Sequence, residues 1–241
     1  LTFKSHIKYM IFVKQPINLK SDKEEIMIEI RQEDILEQKE TENVVREAFW
    51  NVYTPGCCEH FLVHKIRRCH AFVHQLNLVA LSSGMIVGHV INIKSYIEGD
   101  DGSCHEILCL GPISVLPQFQ RQGVGSALIA KTKQIAVSLG YKAIILCGDP
   151  SFYAKQGFYP AEKFRIRNAD NMYAEALQVC PLCDAASLNL AGKYHEDEVY
   201  KVDDAEFKEF DKDFLPKKAV SGTPSQRKFL EIAAKLKQFK E

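Results

Sequence analysis

Between an apolar run ending at Val115 and a helical pattern reaching Leu139 lies the segment Gln120-Arg-Gln-Gly-Val-Gly125. Gly123 and Gly125 let backbone N–H groups approach an anion with no side chain in the way. The helix that follows adds unpaired donors and a favourable dipole, and Arg121 adds a charge-assisted contact. Together these residue types suit a pyrophosphate cradle. Two better-known phosphate loops do not fit. A Walker loop needs Gly-Lys-Ser/Thr, whereas Gly125 is followed directly by Ser126. A dinucleotide fingerprint needs a third glycine where Leu128 stands. Taken alone, two glycines at a strand-to-helix turn are a weak signal. Cys180-Pro-Leu-Cys183 has metal or redox spacing, but it is a single pair and zinc usually takes four ligands. Only the fold could add Cys57, Cys58, His60 or His195 to it, and no metal is expected. The eight cysteines read as reduced thiols, with Cys109 and Cys147 as small core residues.

The elements that must position this loop follow from periodicity. Met27 to Arg31 alternates as a half-buried strand. Residues 34–50 are predicted helical, with Val45 and Phe49 one turn apart and Thr41 as a cap. A loop with Pro55-Gly56 leads to a second helix from Glu59 to Arg68. Residues 76–82 and 85–96 form a hairpin around Ser83-Gly84. His105 to Leu116 is a third strand, too apolar to face water at an edge. Its Pro112 removes a backbone donor, which predicts a bulge or splay there. In the following helix Val124, Leu128, Ile135 and Leu139 are predicted to share one face, and Gly140 ends it. Lys142 to Cys147 is a buried strand. Asp149-Pro150 then opens a short helix that Gly157 stops. Near the end, Thr223-Pro-Ser-Gln226 is a capping-box pattern before Phe229, Ile232, Ala233 and Leu236 at helical spacing. That helix is expected to pack on the core or on a second subunit of a homodimer. The order of elements is mixed α/β.

Val115-x-Pro117-x-x-Gln120-Arg-x-Gly-x-Gly125, followed by Ala127-Leu128, resembles the acyl-CoA-binding motif of the GNAT acyltransferase superfamily. Gly148-Asp-Pro-Ser-Phe-Tyr153-Ala-Lys-Gln-Gly157-Phe158 resembles its second motif. Leu110-Gly-Pro112 and Glu59-His60 look like a bacterial subgroup of predicted N-acetyltransferases. The resemblance covers residues 28–170 well and extends more loosely through Phe210 to Pro216.

It implies the GNAT acyl-CoA N-acyltransferase fold, a mixed, mostly antiparallel central sheet flanked by helices. It also implies acetyl-CoA as cosubstrate. Strand 108–115 would splay from strand 142–147, and the pantetheine arm would lie in the gap against Ile113, Ser114 and Val115. Gln120, Arg121, Gln122, Gly123, Val124, Gly125 and Ser126 would hold the pyrophosphate. The family's reaction is direct attack of an amine on the thioester, with a backbone N–H near the bulge stabilising the oxyanion. Tyr153 occupies the place of the acid that protonates the departing thiolate. Some members carry a glutamate base on the 108–115 strand, but Cys109 stands at the matching position here. Glu106 lies nearby on that strand; Glu59 and His60 are the candidate catalytic residues taken forward, beside deprotonation through water. Trp50, Tyr53 and Cys57 fall on the loop that commonly shapes the acceptor pocket. The resemblance therefore implies an N-acetyltransferase acting on a primary amine, either a small molecule or a protein amino group. The alternative is a non-catalytic acyl-CoA-binding sensor or interaction module.

Composition bounds these readings. The 241 residues carry 31 Lys+Arg against 31 Asp+Glu, and 46% are hydrophobic. Balanced charge gives no support to a nucleic-acid binder or to steering of a highly charged substrate. The apolar content excludes whole-chain disorder. No apolar run approaches the roughly 20 residues of a membrane span, so no membrane partner and a cytoplasmic location are expected. The expected organisation is an N-terminal leader over 1–27, a domain over 28–170 and a C-terminal extension over 171–241 that packs on it.

Overall fold

The computed structural model describes residues 17–20, 25–185 and 188–239. Most of the expected leader lies outside the described residues. Its residues Ile17–Lys20 form strand β1, which pairs antiparallel with β2 (Glu25–Gln32). A 3-10 turn capped by Asp34 runs into helix α1 (Gln38–Phe49), and the Asp34–Glu37 capping box supplies the start expected at Thr41. Thr41 is instead buried within the helix. Helix α2 (Glu59–Ile66) follows, then the hairpin β3 (Leu78–Ser82) and β4 (Met85–Gly99). Ser83 and Gly84 turn it with φ of 50° and 80°, the left-handed pair that two-residue hairpins require. Strand β5 (Cys104–Val115), helix α3 (Val124–Ser138), strand β6 (Ala143–Cys147) and helix α4 (Pro150–Tyr153) complete the predicted order.

The chain then continues to build the same sheet. Strands β7 (Tyr159–Pro160), β8 (Ile166–Arg167), β10 (Leu177–Pro181) and β11 (Gly192–His195) all join it, whereas β9 (Met172–Ala174) pairs with a C-terminal strand. The sheet order is β1-β2-β3-β4-β5-β6-β10-β7, with β11 on the far side of β4. The expected boundary near residue 170 therefore does not divide the sheet. Pairing is antiparallel except for β5–β6 and β11–β8, so the fold is the mixed, mostly antiparallel α/β sheet read from the sequence.

Both faces of the sheet are covered, which is why its central strands read as continuous apolar runs. On β5, Ile107 and Cys109 join Leu62, Val63 and Ile66 of α2. Leu108 and Leu110, pointing the other way, join Val124, Leu128 and Ile129 of α3. The buried residues of α3 are Val124, Ala127, Leu128, Ile129, Thr132 and Ala136. Leu139, expected on that face, is exposed. Val124 and Leu128 fix the face at the N-terminal end, and the small residues Ala127 and Ala136 complete it, a stripe that a search for large apolar side chains overlooks. Gly88 of β4 lets the first turn of α3 press on the sheet, since a Cβ there would lie 3.2 Å from Leu128 and from Val124. No helix among the described residues is long and apolar enough to cross a membrane.

The C-terminal segment docks on α1 and α2. Helix α5 (Asp204–Asp211) presents Phe207 and Phe210 to His60 and Phe61. Asp211 accepts from Arg46 Nε at 2.7 Å, and Arg46, 1% exposed, also donates to the Leu215 carbonyl. Helix α6 (Pro224–Ala233) starts at the predicted capping box, but it ends before Leu236, which lies in strand β12 (Leu236–Gln238) paired with β9.

Removing Asp211 leaves the buried Arg46 guanidinium without its carboxylate. Asp211→Ala is therefore expected to cost about 3–5 kcal/mol in urea unfolding. A double variant that also carries Arg46→Met should lose less than the single variant, because the stranded charge is gone.

Candidate active site

A wedge opens between two adjacent strands. β5 and β6 pair only at Leu108–Ile144 and Cys109–Ile145. Beyond them β5 runs to Val115 held by β4 alone. The interruption is a bulge on β5: Val90 pairs with Ile113 and Asn92 with Leu110, so Gly111 and Pro112 together face Ile91. Proline has no N–H to give a neighbour, and the extra residue resets the alternation. Ile113 and Val115 consequently pack on the same α3-side core as Leu108 and Leu110. The bulge or splay predicted at Pro112 is present.

Past Val115 the chain turns through a short 3-10 segment and enters α3 at Gly123. Arg121 and Gly123 have φ of 59° and 87°. The Gln120 side chain donates to the Val115 carbonyl at 3.0 Å and Gln122 to the Gln118 carbonyl at 2.8 Å, which pins the turn from inside. Ala127 N–H bonds the Gly123 carbonyl at 2.9 Å. The amides before it, from Arg121 to Ser126, donate to no carbonyl or side chain among the described residues. A Cβ added at Gly125 would meet nothing closer than 3.7 Å, so protein packing does not demand that glycine. Ser126 is engaged through its hydroxyl, which accepts from Gln156 at 2.9 Å. Ser114 is buried, and its hydroxyl finds no partner among the described residues.

A cavity of about 210 Å³ lies where β5 and β6 part. Its floor is the bulge, from Cys109 to Ile113, and Cys147 borders it from the end of β6. Tyr153 enters from α4, whose start is capped by Asp149 as the sequence predicts. Gly148 makes room for that side chain, because a Cβ there would collide with the Tyr153 ring. Burial pushes the Tyr153 phenol well above its ordinary value, with smaller contributions from Tyr53 and Asp149. Its hydroxyl therefore keeps its proton at neutral pH.

Glu59 opens α2 and also lines the cavity. Burial raises its pKa, although Oε2 accepts the Cys58 N–H at 3.0 Å. The next residue turns away. His60 is fully buried, its Nε2 2.9 Å from Asp211 Oδ1, its ring edge-on to Phe214. It does not line the cavity, and it is part of the dock for the C-terminal segment rather than a partner of Glu59. One residue along a helix is a rotation of about 100°, which separates the two. Of the loop residues, Tyr53 lines the cavity. Trp50 stacks on Arg46 and donates to the Lys218 carbonyl, and Cys57 is buried beside Arg46. Cys180 is buried in the α3-side core while Cys183 is exposed.

Three lining residues escaped sequence reasoning: Tyr194, Glu196 and Tyr200. Tyr200 donates to the Gly111 carbonyl at 3.2 Å, and both tyrosine hydroxyls lie 3.3 Å from Cys109 Sγ. They hold the bulge from a segment 85 or more positions away in sequence, and no local pattern marks them.

Comparison with known proteins agrees with this geometry. Residues 67–160, which contain the bulge, the glycine turn and Tyr153, match the Acetyltransferase (GNAT) domain family. This part of the chain is similar to the GNAT acetyltransferases. The uncharacterized N-acetyltransferase YhbS of Escherichia coli K12 is 29% identical over 138 residues, 56% of this chain and 80% of that protein. Two solved GNAT structures share the fold. One is Escherichia coli YhbS in complex with CoA, at a TM-score of 0.62 and 24% identity, covering 71% of this chain and 90% of that one. The other is a Brucella melitensis GNAT acetyltransferase in complex with acetyl-CoA, at a TM-score of 0.58 and 24% identity, covering 72% and 98%.

The His60 environment has a pH signature. Burial lowers its pKa from 6.5 to about 4, against the opposing pull of Asp211. A group with a depressed folded pKa gives stability above its unfolded pKa, and that stability is lost as pH falls towards the folded value. Unfolding free energy should therefore drop by on the order of 3 kcal/mol between pH 6.5 and 4 through His60. Denaturant titrations of the parent and His60→Gln should show a shallower pH slope in the variant.

Proposed function

We propose that this protein transfers an acetyl group from acetyl-CoA to a primary amine by direct attack, within the cavity at the β5–β6 wedge. The observation that carries the reading is the conjunction of an unengaged row of amides at the glycine turn with a half-buried, protonated tyrosine across the open edge of β5. The two CoA-bound GNAT relatives of the same fold support the choice of cosubstrate.

The residues present fit that cosubstrate. The amides of 121–126 and the dipole of α3 point donors at one place, as a pyrophosphate needs. The absent side chain at Gly125 keeps the approach open. Arg121 adds positive charge at the same turn. Ile113, Ser114 and Val115 offer the unpaired side of β5 to a pantetheine arm. Acetyl-CoA, when bound, supplies the activated acyl carbon.

The remaining chemistry belongs to this chain. Glu59, made more basic by burial, accepts the proton that the ammonium must lose, directly or through water. The freed nitrogen attacks the thioester carbon; the C–N bond forms and the C–S bond breaks. A backbone N–H beside the bulge stabilises the transient oxyanion. Tyr153 O–H gives its proton to the departing sulfur, the nitrogen releases its second proton to solvent as the amide forms, and solvent reprotonates the phenolate. Cys109, at the position of a family base, is held by Tyr194 and Tyr200 and takes no proton in this scheme.

Tyr153→Phe should lower kcat by about a hundred-fold or more, the usual range for a general acid, and leave the acetyl-CoA Kd near the parent value. Steady-state thiol release alongside calorimetry checks this. Equal loss of turnover and binding would show that Tyr153 acts in cosubstrate binding instead.

A further inference from the structure

The walls of the cavity carry information about the acceptor. Five aromatic rings line it: Phe49, Tyr53, Tyr153, Tyr194 and Tyr200. Its ionisable charges are carboxylates, Glu59 from α2 and Glu196 from the loop after β11. No Lys, Arg or His is among the lining residues. A cavity of this kind has negative potential and aromatic faces, the two features that attract organic cations. Its side chains offer no positive charge to a carboxylate group.

Glu196 has no catalytic task in the scheme above. It makes no hydrogen bond or ion pair among the described residues, and Lys201 acts on it only at longer range. One carboxylate is enough to take a proton from the reacting nitrogen, so the second can meet another positive charge.

The space is also small. At roughly 10–15 Å³ of such space per water-sized group, about 210 Å³ suits a small amine beside the acyl end of the cosubstrate. The outer wall is braced by α6. Phe229 packs at a tilt against Tyr53 with ring centroids 5.0 Å apart, and Lys228 pairs with Asp149, the cap of the helix that carries Tyr153. The C-terminal helix thus bridges the Tyr53 loop and the helix that carries Tyr153, both of which line the cleft.

We infer that the acceptor is a small alkyl amine bearing a second positive charge and no carboxylate, with Glu196 as the specificity-determining residue that pairs with the distal cation. This rests on the acetyltransfer reading above. Three probes of one chain length test it: diaminobutane, butylamine and aminobutanoate, whose far ends are ammonium, methyl and carboxylate. Acetyl-CoA-dependent thiol release should rank their kcat/KM in that order. Diaminobutane should exceed aminobutanoate by about a hundred-fold, the scale of a like-charge clash at a binding site. In Glu196→Gln the advantage of diaminobutane over butylamine should shrink towards unity through a raised KM for the diamine.

Aminobutanoate equal to or better than diaminobutane would overturn the inference. So would an unchanged diamine preference in Glu196→Gln, with the fold checked by acetyl-CoA titration. If that variant does not fold, the ranking in the parent protein decides. Acetyl-CoA binding without transfer to any of the three amines would overturn the acceptor assignment and leave the cosubstrate reading intact. Absence of acetyl-CoA binding would overturn the reading beneath it.

Discussion

A strand cannot serve two neighbours once it contains an extra residue and a proline. That constraint at Gly111-Pro112 organises the rest of this molecule. β4 keeps its register with β5 by letting two residues face one. β6 cannot follow, and after Cys109 the two strands part. The gap so made is the cavity. The open edge of β5 leads from it directly to the glycine turn. Without the bulge, β5 and β6 would continue to pair and neither a cavity nor an unpaired strand edge would exist between them.

The C-terminal residues are not an appendage to this arrangement. Tyr194 and Tyr200 fasten the bulge, and Tyr200 does so through the Gly111 carbonyl itself. Asp211 locks α5 to Arg46 and His60, next to the Glu59 that opens onto the cavity. α6 then reaches across to Tyr53 and to Asp149.

What was legible in the sequence follows the range of the interaction. Pro112 in an apolar strand, Asp149-Pro150 at a helix start and Ser83-Gly84 in a hairpin are local signals, and each stands where it was read. The glycine turn was legible as a donor-rich bend and became specific only together with the Tyr153 segment. Glu59 and His60 show the limit. They are adjacent in sequence, yet one lines the cavity and the other is sealed under three phenylalanines, because α5 arrives from 150 residues away. The acidic and aromatic lining from 194–200 could not be seen for the same reason. Leu236 looked helical by spacing, but pairing with β9 claimed it first.

Calorimetric titration of acetyl-CoA into the protein and into Gly125→Leu tests the central claim most directly. The fold tolerates a Cβ at Gly125, so the variant should fold with a side chain placed in the anion cradle. Micromolar binding to the parent, near −8 kcal/mol, with binding to the variant weakened by about a hundred-fold or more, is the predicted result. Failure of the parent to bind acetyl-CoA, or equal binding by both proteins, would contradict the account and reduce the glycine turn to a structural bend.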